Sequence, residues 1–335
     1  MPLKIAIIGQ GVSGVSCALA ILERFPDVQV TLFGDRPFEK ITSYGPPGHF
    51  EIDSKPNFKR WATVTFERFA QIYKEHSPEE TGVKLVTNYS MSDTKEKLEE
   101  FEKHNADVVY NFKWLSERER TSIFAHPKKY VIHYTAYNSE GRKYVPWMKN
   151  QCESKGAKFV TRKISSVKEL GDEFDLVINC GGLNGGKLAG DDDSVFPVRG
   201  VGFEVDAIWH KHMIDFDEST TYTIPKGNTV FLGTVRQPHR YDTEVTEEDR
   251  RDILGRYYEN HPIFKSAKII SEWCGLRPDR PTVRVEHKQE VSNNGKRFHL
   301  IHDYGHGGNG FVLHWGCAQE VANFVEKIRK EKSKI

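Results

Sequence analysis

The string Gly9-Gln10-Gly11-Val12-Ser13-Gly14 constrains this chain more than any other feature, because glycines at that spacing suit one kind of local architecture. Residues 4–9 read as a short buried strand. Ala18, Leu19, Ile21 and Leu22 then fall on one side of a helix expected over residues 13–25 and closed by Pro26. Residues 28–33 return to a strand pattern, completing a βαβ unit whose parallel strands need cover on both faces. In such a unit Gly9 permits the tight turn, Gly11 lets backbone approach a pyrophosphate, and Gly14 lets the helix pack closely. The helix N-terminus offers its free N–H groups to phosphate. Asp35, ending the second strand, is placed to accept bonds from ribose hydroxyls; its other reading is a turn residue before Arg36-Pro37. The two features together point to dinucleotide binding.

With 335 residues the chain has room for two domains. An apolar share of 38% and a charged share of 28% suit a packed globular protein and exclude a disordered one. Lys and Arg total 48 against 47 Asp and Glu, a formal charge of +1 that gives no field for nucleic acid or an anionic membrane. Any anion must be held by a local site. No apolar run approaches the ~18 residues of a spanning helix, and the opening residues lack the features of a signal peptide. The expectation is an intracellular, cytoplasmic chain unless an address sends it elsewhere. Ser333-Lys334-Ile335 stands one apolar swap from the Ser-Lys-Leu peroxisomal address, or is the frayed end of a lysine-rich helix. The five cysteines, Cys17, Cys152, Cys180, Cys274 and Cys317, form no CxxC pair and read as buried free thiols.

Further along, a solvated helix is expected over 95–104, strands over 107–112 and 130–137, and a helix over 145–153. Strands over 157–164 and 176–180 lead to a loop over 185–193. Its three aspartates read as solvated carboxylates, and no metal is expected. Strands over 201–205, 220–224 and 229–233, a helix over 247–260, and strands over 268–273 and 298–302 precede a long final helix. Before that helix come Gly305, Gly307, Gly308 and Gly310, four glycines in six positions, which imply backbone pressed against a ligand with a helix end aimed at it. Two such turns fit a long cofactor gripped at both ends, and a flavin ring would be stabilised by the second. Arg277 sits before Pro278 and near Pro281, so its guanidinium is either aimed at a carboxylate or spent in a salt bridge with Asp279. For Arg280 and Arg284 the salt-bridge reading prevails.

Several stretches together resemble the FAD-dependent D-amino-acid oxidase and D-aspartate oxidase family. They are the opening 7–14, Asp35-Arg36 with Thr42-Ser43, 159–164, Asn179-Cys180-Gly181-Gly182, Arg199-Gly200, 275–281, and 301–318 with His314-Trp315-Gly316-Cys317-Ala318. The resemblance implies an α/β fold in which a Rossmann-like FAD-binding domain (1–50, 151–195, 285–335) interleaves with a substrate domain (51–150, 196–284) built on a mixed or antiparallel sheet. It implies FAD contacts at Gly9, Gly11, Val12, Ser13, Gly14, Asp35, Arg36, Thr42, Ser43, Gly48, Arg162, Ile164, Cys180 and Gly181, and at Gly307, Gly308, Asn309, Gly310, Phe311 and Val312. Arg277 and the Tyr222 hydroxyl would hold the substrate α-carboxylate.

The implied reaction is oxidative deamination of a D-amino acid by dioxygen to oxo acid, ammonia and hydrogen peroxide, run mainly by orientation and flavin electrostatics. That product makes a peroxisome, and an import receptor at the C-terminus, sensible. Within the family, Arg236 resembles the residue that meets the side-chain carboxylate in the D-aspartate branch. A buried unpaired guanidinium there would want an anion, and the other reading pairs Arg236 with an internal carboxylate. Ser219 stands near the lid tyrosine of neutral-substrate enzymes. Asp215 stands where that branch carries a second arginine, Pro46-Pro47 replace two alanines, and Glu51 falls near the pocket mouth. The expected activity is on D-aspartate, with D-glutamate next. The alternatives are a neutral or basic D-amino-acid oxidase, a catalytically silent flavin-binding protein, and a colourless NAD-dependent dehydrogenase.

Overall fold

The structure, a computed structural model, describes residues 2–216 and 220–332. The chain opens with β1 (Lys4–Ile8), α1 (Val12–Arg24), β2 (Gln29–Gly34), α2 (Phe58–Glu75), α3 (Pro78–Thr81), β3 (Val83–Ser92), α4 (Lys95–Asn105) and β4 (Tyr110–Trp114). There follow α5 (Glu117–Ile123), β5 (Tyr130–Ser139), α6 (Gly141–Ser154), β6 (Lys158–Thr161), β7 (Leu176–Asn179), α7 (Gly185–Ala189), β8 (Phe196–Asp206) and β9 (Met213–Phe216). The last part runs β10 (Thr221–Pro225), β11 (Val230–Gly233), β12 (Gln237–Pro238), α8 (Glu247–Asn260), β13 (Lys268–Asp279), β14 (Arg284–Val291), β15 (Arg297–Tyr304) and α9 (Gly310–Lys332).

The strands make two sheets. One is six-stranded in the order β14-β15-β7-β1-β2-β6, parallel except where β14 meets β15. Its central strands are apolar on both faces: Ile5, Ile7, Leu176 and Ile178 are fully buried on one, and Ala6 and Val177 on the other, as parallel strands covered on both sides require. The other is nine-stranded and mixed, in the order β12-β8-β11-β10-β9-β3-β5-β4 with β13 on the free edge of β8. No helix among the described residues is long and apolar enough to cross a membrane.

Period-two alternation along β8 explains how the second sheet is used. Val201, Phe203 and Val205 pack with Ile253 and Tyr257 of α8, while Gly200 and Gly202 leave the opposite face bare. Arg199 lies on the α8 side and is fully buried. Its Nη1 and Nη2 donate to Oδ1 and Oδ2 of Asp249 at 3.1 and 2.8 Å, and Nη1 also donates to Gln237 Oε1 at 2.6 Å. Asp249 is at the same time the acidic half of a capping box with Thr246 that starts α8.

Removing Asp249 leaves the buried Arg199 only the exposed Asp242, at 3.3 Å, as counter-charge, so Asp249→Asn is expected to cost about 3 kcal/mol, read as a lower urea midpoint. Hydrogen bonds from Arg199 first, and from Thr246 after it, hold the Asp249 carboxyl down at about 2. Folding therefore releases a proton between about pH 4 and pH 2. The stability this pair contributes is complete above that window and is lost as pH falls through it.

Candidate active site

Cross-strand register brings the site residues to one face of the mixed sheet. Asp215 on β9 stands opposite Tyr222 on β10, Tyr222 opposite Gly233 on β11, Gly233 opposite Gly202 on β8, and Gly202 opposite Trp273 on β13. Directly opposed residues share a face. Two positions further along β13 and β8 the same face carries Gly275 with Gly200, and then Arg277 with Val198. The glycines let large side chains lie flat against backbone. A Cβ on Gly200 would come within 2.4 Å of Arg277 Nη1, one on Gly202 within 2.0 Å of the Phe231 ring, and one on Gly233 within 2.7 Å of the Tyr222 ring. The Trp273 ring is held between Gly45 and Gly275, where Cβ atoms would approach it to 1.9 and 2.1 Å.

Arg277 is aimed by neutral acceptors. Nη1 reaches the carbonyl oxygens of Val235 and Arg199 at 3.3 and 3.4 Å, and Nη2 reaches Thr234 Oγ1 at 3.2 Å. The Asp279 salt bridge is not formed: Asp279 faces Lys55 at 3.7 Å and accepts from the Arg280 amide. Arg280 and Arg284 do pair as expected, with Asp192 at 2.9 Å and Asp191 at 2.6 Å. Those aspartates are thus tied to guanidinium groups, which corrects their reading as merely solvated.

Arg236 requires a correction too. It lines the cavity, yet it is exposed, because β11 ends at Gly233 and the chain has left the sheet before Arg236 is reached. The burial argument for it therefore falls. What remains is its position and the absence of any carboxylate paired with it among the described residues. Ser219 lies outside the described residues.

These side chains open on one continuous cavity of about 1820 Å³, larger than the roughly 300–1,000 Å³ of ordinary ligand pockets. Its walls include Tyr222, Arg236, Arg277 and every residue named above for the cofactor except Gly14. Gly14 is instead a packing position: its Cβ would fall 2.0 Å from the Gly9 carbonyl oxygen. Gly9 has φ +113°, and a Cβ there would strike the Cys180 carbonyl oxygen at 2.2 Å, so only glycine fits. Ser43 Oγ accepts from the Val12 amide at 3.0 Å at the mouth of α1, and Thr42 Oγ1 donates to the Leu276 carbonyl at 2.8 Å. Asp35 takes a bidentate pair from Arg36 at 2.7 and 2.6 Å, which holds its carboxyl below the usual range.

At the other end the Gly305–Gly310 turn delivers the N-terminus of α9. Beneath both turns, Cys17 donates to Asp303 Oδ2 at 3.2 Å, with the Cys180 sulfur 3.9 Å from each. Burial first pushes the Cys17 and Cys180 thiols up, so both stay protonated. Four of the five cysteines are buried free thiols; Cys274 is only half-buried.

Residues 4–324 match the family model described as FAD dependent oxidoreductase. The chain belongs to that FAD-dependent oxidoreductase family. It is 48% identical over 325 residues to D-aspartate oxidase 1 of Caenorhabditis elegans, a match spanning 96% of this chain and 97% of that one. It is 33% identical to the D-aspartate oxidase of Homo sapiens, over 97% and 95% of the two chains. The fold is that of glycine oxidase from Bacillus cereus ATCC 14579, at TM-score 0.81 and 21% identity over 97% and 95%. The FAD-bound L-alpha-glycerophosphate oxidase from Mycoplasma pneumoniae aligns at TM-score 0.75 and 14% identity over 97% and 95%.

The cofactor of this oxidoreductase is FAD, and the residues present fit it. A glycine cradle that a Cβ would fill, helix N-termini opening at two ends, and a cavity of about 1820 Å³ lined by both glycine turns occur in one place.

Several cavity residues escaped the sequence reading. Trp273, Phe231, Ile224 and Met213 form an apolar patch beside Tyr222, together with Val86. Their signal was the same period-two alternation, Trp273-Gly275-Arg277 on β13. His49 lines the cavity next to Glu51 at 3.8 Å. Burial pushes its pKa down to about 4, so near neutral pH this contact is not an ion pair.

Proposed function

We propose that the protein oxidatively deaminates acidic D-amino acids, D-aspartate first and D-glutamate second, to oxo acid, ammonia and hydrogen peroxide. The observation that carries this reading is that Arg277 and Arg236 line one cavity around Tyr222, neither paired with a carboxylate among the described residues. Two guanidinium groups without counter-charge suit a dianionic ligand. Arg277, held by three oxygen acceptors, clamps the α-carboxylate in bidentate fashion, and the Tyr222 hydroxyl donates to the same group. Arg236 meets the side-chain carboxylate. The apolar floor of Phe231, Ile224 and Trp273 keeps water from the substrate's carbon chain. FAD held there would supply the hydride acceptor and the redox link to dioxygen. The α9 N-terminus favours negative charge at that end of the cavity. The chain's own contribution is orientation more than proton transfer.

Arg236→Ala is expected to lower kcat/KM for D-aspartate about a hundredfold, the scale of a lost charge-assisted contact, and to change D-alanine turnover by less than about threefold. Steady-state assays on both substrates check it, and an equal loss on the two would contradict the assignment.

The proposal extends to organisation and location. Segments 1–50, 151–195 and 285–335 hold FAD, and 51–150 and 196–284 hold substrate. In support, β1, β2, β6, β7, β15 and nearly all of β14 fall in the first set, with β3–β5 and β8–β13 in the second. The C-terminal Ser333-Lys334-Ile335, outside the described residues, serves as a peroxisomal import address. Comparing where the full chain and one ending at Lys332 accumulate in cells tests this, and an unchanged distribution would refute it.

A further inference from the structure

Beneath the two glycine turns lies a nest of metal-ligating side chains to which the oxidase reading gives no role. Cys17 comes from α1, Cys180 directly follows β7, and Asp303 stands near the end of β15; all three are buried. Their ligand atoms form a small triangle, with Cys17 Sγ 3.2 Å from Asp303 Oδ2 and Cys180 Sγ 3.9 Å from each. Asp303 also belongs to a second triad with the buried His306 and Cys317, whose ligand atoms lie within 4.8 Å of one another. A tetrahedral zinc ion with sulfur at about 2.3 Å and oxygen at about 2.0 Å sets its ligands roughly 3.5–3.8 Å apart. The edges of the triangle bracket that range.

The carboxylate itself points to a cation. Among the described residues Asp303 Oδ2 accepts only from the two thiols, which are weak donors. Asp303 Oδ1 faces His306 Nε2 at 3.2 Å, yet neither atom makes a hydrogen bond. A buried carboxylate so poorly compensated is costly, and thiols with an imidazole and a carboxylate are a donor set that zinc completes. We propose that Cys17, Cys180 and Asp303, with His306 as fourth ligand, hold one divalent cation of the zinc class. On binding, the two thiols release their protons to solvent and coordinate as thiolates. Cys180, Asp303 and His306 line the cavity, which gives the ion its way in. The ion ties α1 to β7 and β15. It thereby stiffens the turn at Gly9, where the Cys180 carbonyl already leaves room only for glycine. Its role is structural, and the chemistry at Tyr222 does not pass through it.

The test is zinc added to the flavin-loaded enzyme, followed by gel filtration into metal-free buffer, metal analysis and X-ray absorption at the zinc edge. One retained zinc per chain is expected, with sulfur neighbours at about 2.3 Å and a Tm that rises with zinc concentration. Cys17→Ser and Asp303→Asn are each expected to raise the zinc Kd by about a hundredfold or more. Cys152→Ser, which removes a buried thiol outside the nest, binds zinc as the wild type does. The wild-type absorption spectrum alone keeps the idea refutable if the ligand variants do not fold. No retained zinc, zinc without sulfur neighbours, or undiminished zinc binding in Cys17→Ser would overturn the proposal.

Discussion

Arg277→Ala is expected to lower kcat/KM for D-aspartate by about three orders of magnitude, roughly 4 kcal/mol, while flavin content stays that of the wild type. The loss is large because Arg277 is the aimed guanidinium, fixed by oxygens of Arg199, Thr234 and Val235. Those acceptors are neutral, so no buried carboxylate is stranded when the side chain goes, and the protein is expected to fold. A subtler variant removes no functional group. Gly200→Ala puts a methyl where the guanidinium lies, 2.4 Å from Nη1 and 2.6 Å from Cζ. Something must move, and the flexible arginine head moves more readily than the sheet. A loss of about ten- to a hundredfold is expected in Gly200→Ala, since small misplacements of a substrate clamp are costly. Gly227→Ala, whose new methyl would meet open space, is the control and is expected to behave as wild type. Steady-state kinetics on the three variants check the set. Full activity in Gly200→Ala would show that Arg277 does not need its present seat.

The second large effect concerns the cofactor. Gly14→Ala would place Cβ 2.0 Å from the Gly9 carbonyl oxygen and 2.9 Å from its carbonyl carbon, both backbone atoms of the turn. Neither can swing aside as a side-chain end would, so α1 must retreat from β1 and carry its N-terminal amides away from the cavity. Overpacking of this kind costs about 1–3 kcal/mol or more. The purified variant is expected to come largely without flavin, with a lower Tm and an FAD Kd raised about a hundredfold. Flavin absorbance per chain and recovery with added FAD measure it. A yellow, fully loaded Gly14→Ala protein would contradict the packing role assigned to Gly14.

Local signals were the legible ones. The βαβ opening and the Gly305–Gly310 turn are strand, glycines and helix in immediate succession, and the structure places both on the same cavity. The helix expected over 247–260 is α8 to the residue, because the Thr246–Asp249 capping box fixes its start. Where partners lie far apart in sequence, the reading faltered. β13 runs on through Pro278 to Asp279 rather than stopping at 273, since it is an edge strand paired only to β8 and can afford a proline. Part of the stretch expected as a loop over 185–193 is helical, at Gly185–Ala189, and its aspartates find Arg280 and Arg284 from a distant segment.

The helix α2 went unread although Phe58, Trp61, Ala62, Thr65, Phe66, Phe69 and Ile72 recur at helical spacing. The burial expected of Arg236 came from its resemblance to the D-aspartate branch, not from a strand pattern, since the strand expected over 229–233 stops short of it. The alternation Trp273-Gly275-Arg277 puts Trp273 on the face of Arg277, but one of its two glycine seats, Gly45, comes from a loop remote in sequence and has no local signal.

The most direct measurement is hydrogen peroxide formation by the flavin-loaded protein offered D-aspartate, D-glutamate, D-alanine, D-arginine and L-aspartate in parallel. The two guanidinium groups around Tyr222 predict the highest kcat/KM for D-aspartate, D-glutamate second, and no turnover of L-aspartate. A protein that prefers D-alanine or D-arginine would contradict the account.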